Sequence, residues 1–64
     1  PYHYLLGKKM NLAKRLLLTT DKSLAEIAYE AGFSSQSYFG AVFRKEEGVT
    51  PLQYRREMYH RYPE

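Results

Sequence analysis

An all-α fold, a small bundle of about four helices, is what this sequence predicts, and three observations predict it. Apolar residues recur at the spacing of a helical turn, while strict alternation is absent and β-branched residues are few, so no sheet is expected. Two runs, Ser23-Leu24-Ala25-Glu26 and Thr50-Pro51-Leu52-Gln53, have the form of a capping box. In that motif the first side chain accepts from the amide three residues on and the acid or amide there reaches back. Glycines at 32 and 48 stand where periodic stretches stop, the place where a helix turns left-handed to end.

The first segment is expected from about Pro1 to Thr19. Pro1 suits a first helical turn, where its missing N–H is no loss. Leu6, Met10, Ala13 and Leu17 form one apolar stripe; Leu5, Leu12 and Leu16 form a second, roughly 110° away on the helical wheel. One small core needs one stripe, so two stripes predict a helix packed between two partners. Gly7 lies inside it at a cost of about 1 kcal/mol relative to alanine. The second segment starts at the Ser23 cap, buries Leu24, Ile27, Ala28 and Ala31, and stops at Gly32. The third follows Phe33, with Ser34 or Ser35 as N-cap, Phe39 and Phe43 one turn apart pointing inward beside Val42, and Gly48 as its end. The fourth has Thr50 as cap and Pro51 as first residue, with Leu52 and Tyr54 as candidate packing residues, and frays before Pro63.

Sixty-four residues hold one domain at most, and a chain of this size buries only about 60% of its unfolded surface. No cysteine is present, so neither disulfides nor thiolate metal sites brace it, which fits a reducing compartment. No apolar run approaches the roughly 20 residues of a membrane span, so no membrane partner is expected. A Gly-rich phosphate loop and a histidine pair at metal spacing are both missing, so neither an enzyme nor a cofactor or metal site is expected. His3 and His60 read as surface residues. The net charge of +3 favours an anionic partner, and it is uneven. Lys8, Lys9, Lys14, Arg15 and Lys22 face one acid, Asp21, in the first 22 residues, whereas acids outnumber bases by one in the rest. An ordinary solvated helix face accounts for that surplus as well as a binding patch does.

The second and third segments meet through Gly32-Phe33-Ser34. Gly32 supplies a sharp turn, Phe33 plugs its base, and the small Ala28 lets the helices cross closely. Those are the mechanical needs of a helix-turn-helix, and equally of a plain αα-corner in a structural bundle. The run SLAEIAYEAGFSSQSYFGAVFRKEEGVTPLQYRR, Ser23 to Arg56, narrows the choice. Its Ile27-Ala28, Gly32-Phe33, Ser37-Tyr38-Phe39, Phe43-Arg44-Lys45, Gly48, Thr50-Pro51 and Tyr54-Arg55 resemble the second helix-turn-helix of the AraC/XylS family of bacterial transcription regulators. Pro1, Tyr4-Leu5-Leu6, Lys9-Met10, Ala13 and Leu16-Leu17 resemble the family's linker helix. The resemblance implies a homeodomain-like helix-turn-helix bundle, one partial DNA-binding domain over 1–64, with 1–20 as linker helix and 21–64 as second helix-turn-helix subdomain. It implies that the first such subdomain and an effector domain belong to a longer protein, that Leu5, Leu12 and Leu16 pack on that first subdomain, and that the protein works in the bacterial cytoplasm, at the nucleoid. The implied partner is double-stranded DNA, with RNA polymerase as a second candidate, and the family leans to activation.

The resemblance and the helical wheel together assign roles. The third segment, about 35–46, is the expected recognition helix for the major groove; the second, 23–31, supports it and contacts phosphate. Base contacts are implied for Gln36, Ser37, Gly40 and Ala41. The Gln36 amide can bond N6 and N7 of adenine, worth about 1–3 kcal/mol of discrimination. Ser37 can bond a base edge or phosphate, or simply serve the helix start. Ala41 can touch a thymine methyl, and Gly40 allows close backbone approach. Many relatives carry a polar residue followed by arginine at this pair, so guanine readout is expected to be weaker here. Phosphate contacts are expected from Arg44 and Lys45, from the Tyr38 hydroxyl if it is not a packing residue, and from Lys22, Ser23 and Leu24 at the dipole-positive start of the second helix. Arg55 is expected in an internal ion pair, and Lys8, Lys9, Lys14 and Arg15 in solvent. A helical protein-interaction module remains the alternative, favoured by the second leucine stripe and the bare Gly40-Ala41 surface.

Overall fold

The computed structural model describes the backbone of residues 2–61 and the side chains of residues 2–58. Four helices follow one another: α1 (Tyr2–Thr19), α2 (Leu24–Ala31), α3 (Gln36–Glu47) and α4 (Pro51–Arg61). No strand occurs among the described residues, and the all-α expectation holds. The roles expected of Pro1, Pro63 and the His60 side chain lie outside the described residues; His3 is exposed.

α1 buries the stripe Leu6, Met10, Ala13 and Leu17. Its second stripe divides. Leu5 and Leu12 are 56% and 37% exposed, while Leu16 packs against the core as a half-buried residue. Leu16 is the member nearest in helical angle to the buried stripe, about 90° from its centre. The core gathers that first stripe with Ile27, Ala28 and Ala31 of α2, Phe33 of the turn, and Phe39 and Phe43 of α3. Aromatic rings run through it in series: Phe33–Phe39 at 5.0 Å, Phe39–Phe43 at 5.7 Å and Phe43–Tyr54 at 5.4 Å between centroids. Such tilted and edge-on pairs join the turn, α3 and α4 in one apolar run.

Local chemistry ends the helices where the sequence placed the ends. The Glu26 amide donates to Ser23 Oγ at 3.1 Å and the Ser23 amide donates to Glu26 Oε1 at 2.9 Å, a complete capping box. Gly32 has φ +94°; its amide donates to the Tyr29 carbonyl and the Phe33 amide to that of Ala28, the paired bonds of a Schellman end. Ser35, rather than Ser34, caps α3 by accepting from the Tyr38 amide at 3.0 Å, and Gly48, φ +83°, closes it through one bond to the Arg44 carbonyl. Thr50 and Gln53 form the second box, at 2.9 and 3.1 Å.

Two expectations need correction. Leu52 does not pack; it is 42% exposed, and Pro51 is buried instead. With Pro51 at the head of the helix, Tyr54 three residues on shares its face, and Leu52 is turned about 100° away. Arg55 makes no ion pair among the described residues. Its Nε donates to the Leu17 carbonyl at 3.0 Å, Nη2 to Thr20 at 3.0 Å and Nη1 to Lys22 at 2.8 Å. α1 ends without a glycine and without a basic residue in its last turn; the Thr19 and Thr20 hydroxyls donate to the Arg15 and Leu16 carbonyls, but among the described residues the carbonyls of Leu17, Thr20 and Lys22 have no local donor. A guanidinium brought over by α4 supplies one N–H to each, at the dipole-negative end of the helix.

Candidate nucleic-acid interface

Inside α3, Phe39 and Phe43 are fully buried and fix the rotation of the helix about its axis. That rotation turns Gln36, Ser37, Ala41, Arg44 and Lys45 to solvent, with Gly40 half-buried among them. Ser37, Gly40, Ala41, Arg44 and Lys45 therefore share one side of the helix, and Gln36 is exposed at its N-terminal end. Among the described residues, the side chains of Gln36, Ser37, Arg44 and Lys45 take no hydrogen bond or ion pair. A donor or acceptor held by nothing in the fold meets a new partner without first breaking a bond.

Tyr38 is placed differently. It is 43% exposed and its ring lies 6.1 Å from that of Phe33. The nearby Tyr38 hydroxyl pushes the Tyr2 phenol above its ordinary value. Tyr38 thus leans on α1 at the border of the face.

The start of α2 is more occupied than the sequence suggested. Lys22 Nζ pairs with Glu30 at 2.8 Å, and this contact raises the lysine above its ordinary value. Ser23 spends both its amide and its hydroxyl in the capping box. Those bonds hold the Glu26 carboxyl below the usual carboxylate range, so a negative charge sits at this helix start. Leu24 packs its side chain on the core, leaving its amide and that of Ala25 as the first-turn donors that neither capping bond uses.

The basic residues of α1 do not form a free patch. Lys14 Nζ lies 3.2 Å from Glu47 and ties α1 to the end of α3, where solvent was expected. Lys9 lays its stem along Gly32, whose added Cβ would stand 3.4 Å from Lys9 Cε, and its ammonium lies 5.8 Å from the Phe33 ring centroid. Lys8 sits 5.3 Å from the centre of the Tyr4 ring. The Lys8 contact lies within one turn of α1, but the Lys14 and Lys9 ties, like the Arg55 fork, join distant parts of the chain and leave no local pattern. The one available signal was the missing stop at the end of α1. No cluster of His, Cys, Asp or Glu with metal-ligand geometry occurs among the described residues, and no described helix is long and apolar enough to cross a membrane.

A family model described as a helix-turn-helix domain matches residues 1–57. Among characterised relatives, the probable transcriptional regulator LumQ of Photobacterium leiognathi is 43% identical over 54 residues, 84% of this chain and 22% of that protein. The transcriptional activator RhrA of Rhizobium meliloti is 44% identical over 55 residues, 83% of this chain and 18% of RhrA. The melibiose operon regulatory protein of Escherichia coli is 43% identical over 53 residues, 83% of this chain and 18% of that protein. The chain thus spans about a fifth of the length of these relatives. A crystal structure of the C-terminal domain of the two-component response regulator yesN from Fusobacterium nucleatum superposes with a TM-score of 0.82 at 48% identity, covering 84% of this chain and 52% of that one.

Proposed function

This chain belongs to the AraC/XylS family of helix-turn-helix transcription regulators, which are not enzymes, and from that premise we propose that it binds double-stranded DNA with α3 in the major groove and α2 as its support. The observation that carries this reading is the unengaged face of α3. Most other basic side chains near the core are tied to the fold, whereas Arg44 and Lys45 are not. Gln36, Ser37, Gly40 and Ala41 meet base edges; Arg44 and Lys45 hold phosphates on the groove wall, with Tyr38 at the edge. Lys22, Ser23 and Leu24 approach a further phosphate, mainly through the free amides at the start of α2, since Lys22 must exchange Glu30 for it. Residues 1–20 act as a linker helix and 21–64 as a second helix-turn-helix subdomain.

The test is a duplex titration across salt concentrations. With about four phosphates contacted, log affinity falls against log salt with a slope near −3.6. Arg44→Ala and Lys45→Ala each make the slope shallower by about 0.9, at unchanged base preference. Affinity that ignores salt, or that both substitutions leave intact, sinks the proposal.

A second reading has its own observation. Tyr2, Leu5 and Leu12 are exposed on one side of α1. Such a face fits a protein partner, whether another subdomain or RNA polymerase. Self-association that Leu5→Ser and Leu12→Ser abolish, with no salt-dependent duplex binding, would favour this reading over the first.

A further inference from the structure

Gly40 lies mid-way along α3, and nothing in the fold calls for a glycine there. Positive φ is confined to Gly32 and Gly48 among the described glycines, so backbone strain does not demand it. A Cβ built at Gly40 meets no heavy atom within 4 Å, so packing does not demand it either. Glycine inside a helix is destabilising where alanine would fit. The residue therefore weakens its own helix at the centre of the face proposed to read DNA. Around it the exposed chemistry is an amide at Gln36, a hydroxyl at Ser37 and a methyl at Ala41, and the first cation of the helix is Arg44. No arginine or lysine lies between residues 36 and 43 to fork onto guanine O6 and N7.

Resting on the major-groove reading above, we propose that Gly40 is a specificity residue: the gap at its Cα and the Ala41 methyl together form a shelf for a thymine C5-methyl group, while Gln36 bonds adenine. The duplex favoured at the centre of α3 is accordingly A·T. A side chain at position 40 would occupy the space the thymine methyl needs, which gives the sacrificed helix stability a purpose.

A cycle of two methyl groups, one on the protein and one on the base, tests this. The chain and its Gly40→Ala variant are each titrated at low salt with a short A·T-rich duplex. The same duplex carrying deoxyuridine in place of every thymidine is titrated in parallel, with a G·C duplex of equal length as reference. The unsubstituted chain should prefer thymine over uracil about fourfold, the value of burying one methyl group. It should bind the G·C duplex more weakly than either. Gly40→Ala, whose melting temperature should be no lower than that of the parent, should lose the preference or reverse it. Equal affinity of the parent for the thymine and uracil duplexes overturns the inference, as does an intact thymine preference in Gly40→Ala. If salt-dependent binding accompanies either result, only this inference falls. If no duplex binds at all, the DNA-binding reading falls with it.

Discussion

Three carbonyls at and just beyond the end of α1 take their donors from one guanidinium, that of Arg55, on a helix formed more than thirty residues later. Charge-assisted bonds to backbone carbonyls are worth more than neutral ones, and removing the donor leaves partly buried acceptors unmet. Arg55→Ala should therefore cost about 2–4 kcal/mol, read as a lower urea midpoint at unchanged m. Arg55→Lys should recover only part of that, because an ammonium cannot spread donors as a planar fork does. The ion pair expected from sequence was the wrong partner for a correctly chosen residue. The missing helix stop was legible, but the donor that folds back to it was not. Glu26 gives a second test at this scale. Its bonds to Ser23 hold its carboxyl below the ordinary value, so they stabilise the fold above the usual carboxylate range. That contribution is lost as pH falls through the lowered value. Glu26→Gln keeps a capping amide but not the charge. Its melting temperature should lie below that of the parent at neutral pH and converge with it in acid. A gap that persists unchanged at low pH would show that the charge is not what stabilises this cap.

At the scale of the helix, glycines separate cleanly by what surrounds them. Gly7 is inside α1 with no heavy atom within 4 Å of a built Cβ, so Gly7→Ala should stabilise the chain by about 1 kcal/mol. Gly32 has a positive φ and carries the turn between α2 and α3, so Gly32→Ala should destabilise by about 1–2 kcal/mol. Thermal melts of the two variants should move in opposite directions; a shared direction would contradict the assignment. These features were readable in advance because a cap, a stop or a stripe depends on residues within a turn or two of each other. The buried stripe of α1 matched its periodicity, and both capping boxes formed. Leu52 failed as a packing residue because composition names an apolar side chain but not the rotation of a short helix about its axis.

For the molecule as a whole, one core serves all four helices, and the fully buried Phe43 ring sits between Phe39 of α3 and Tyr54 of α4. Phe43→Ala should cost about 3–5 kcal/mol. A domain of this size is stable by only about 3–10 kcal/mol, so this one change should leave much of the chain unfolded, as circular dichroism would report. Polar variants on the outer face of α3 should leave the same signal untouched. The order of the amino acids was enough to establish four helices, the inward faces of α1, α2 and α3 and the stops at Gly32 and Gly48, since each follows from spacing along the chain. Tertiary packing decided which charges remained free. Lys14, Lys22 and Arg55 are bound to the fold, by Glu47, Glu30 and three carbonyls. Arg44 and Lys45 are left unclaimed because no other helix covers the side of α3 from which they project, and proximity between distant segments is a property of the folded chain that no local spacing encodes.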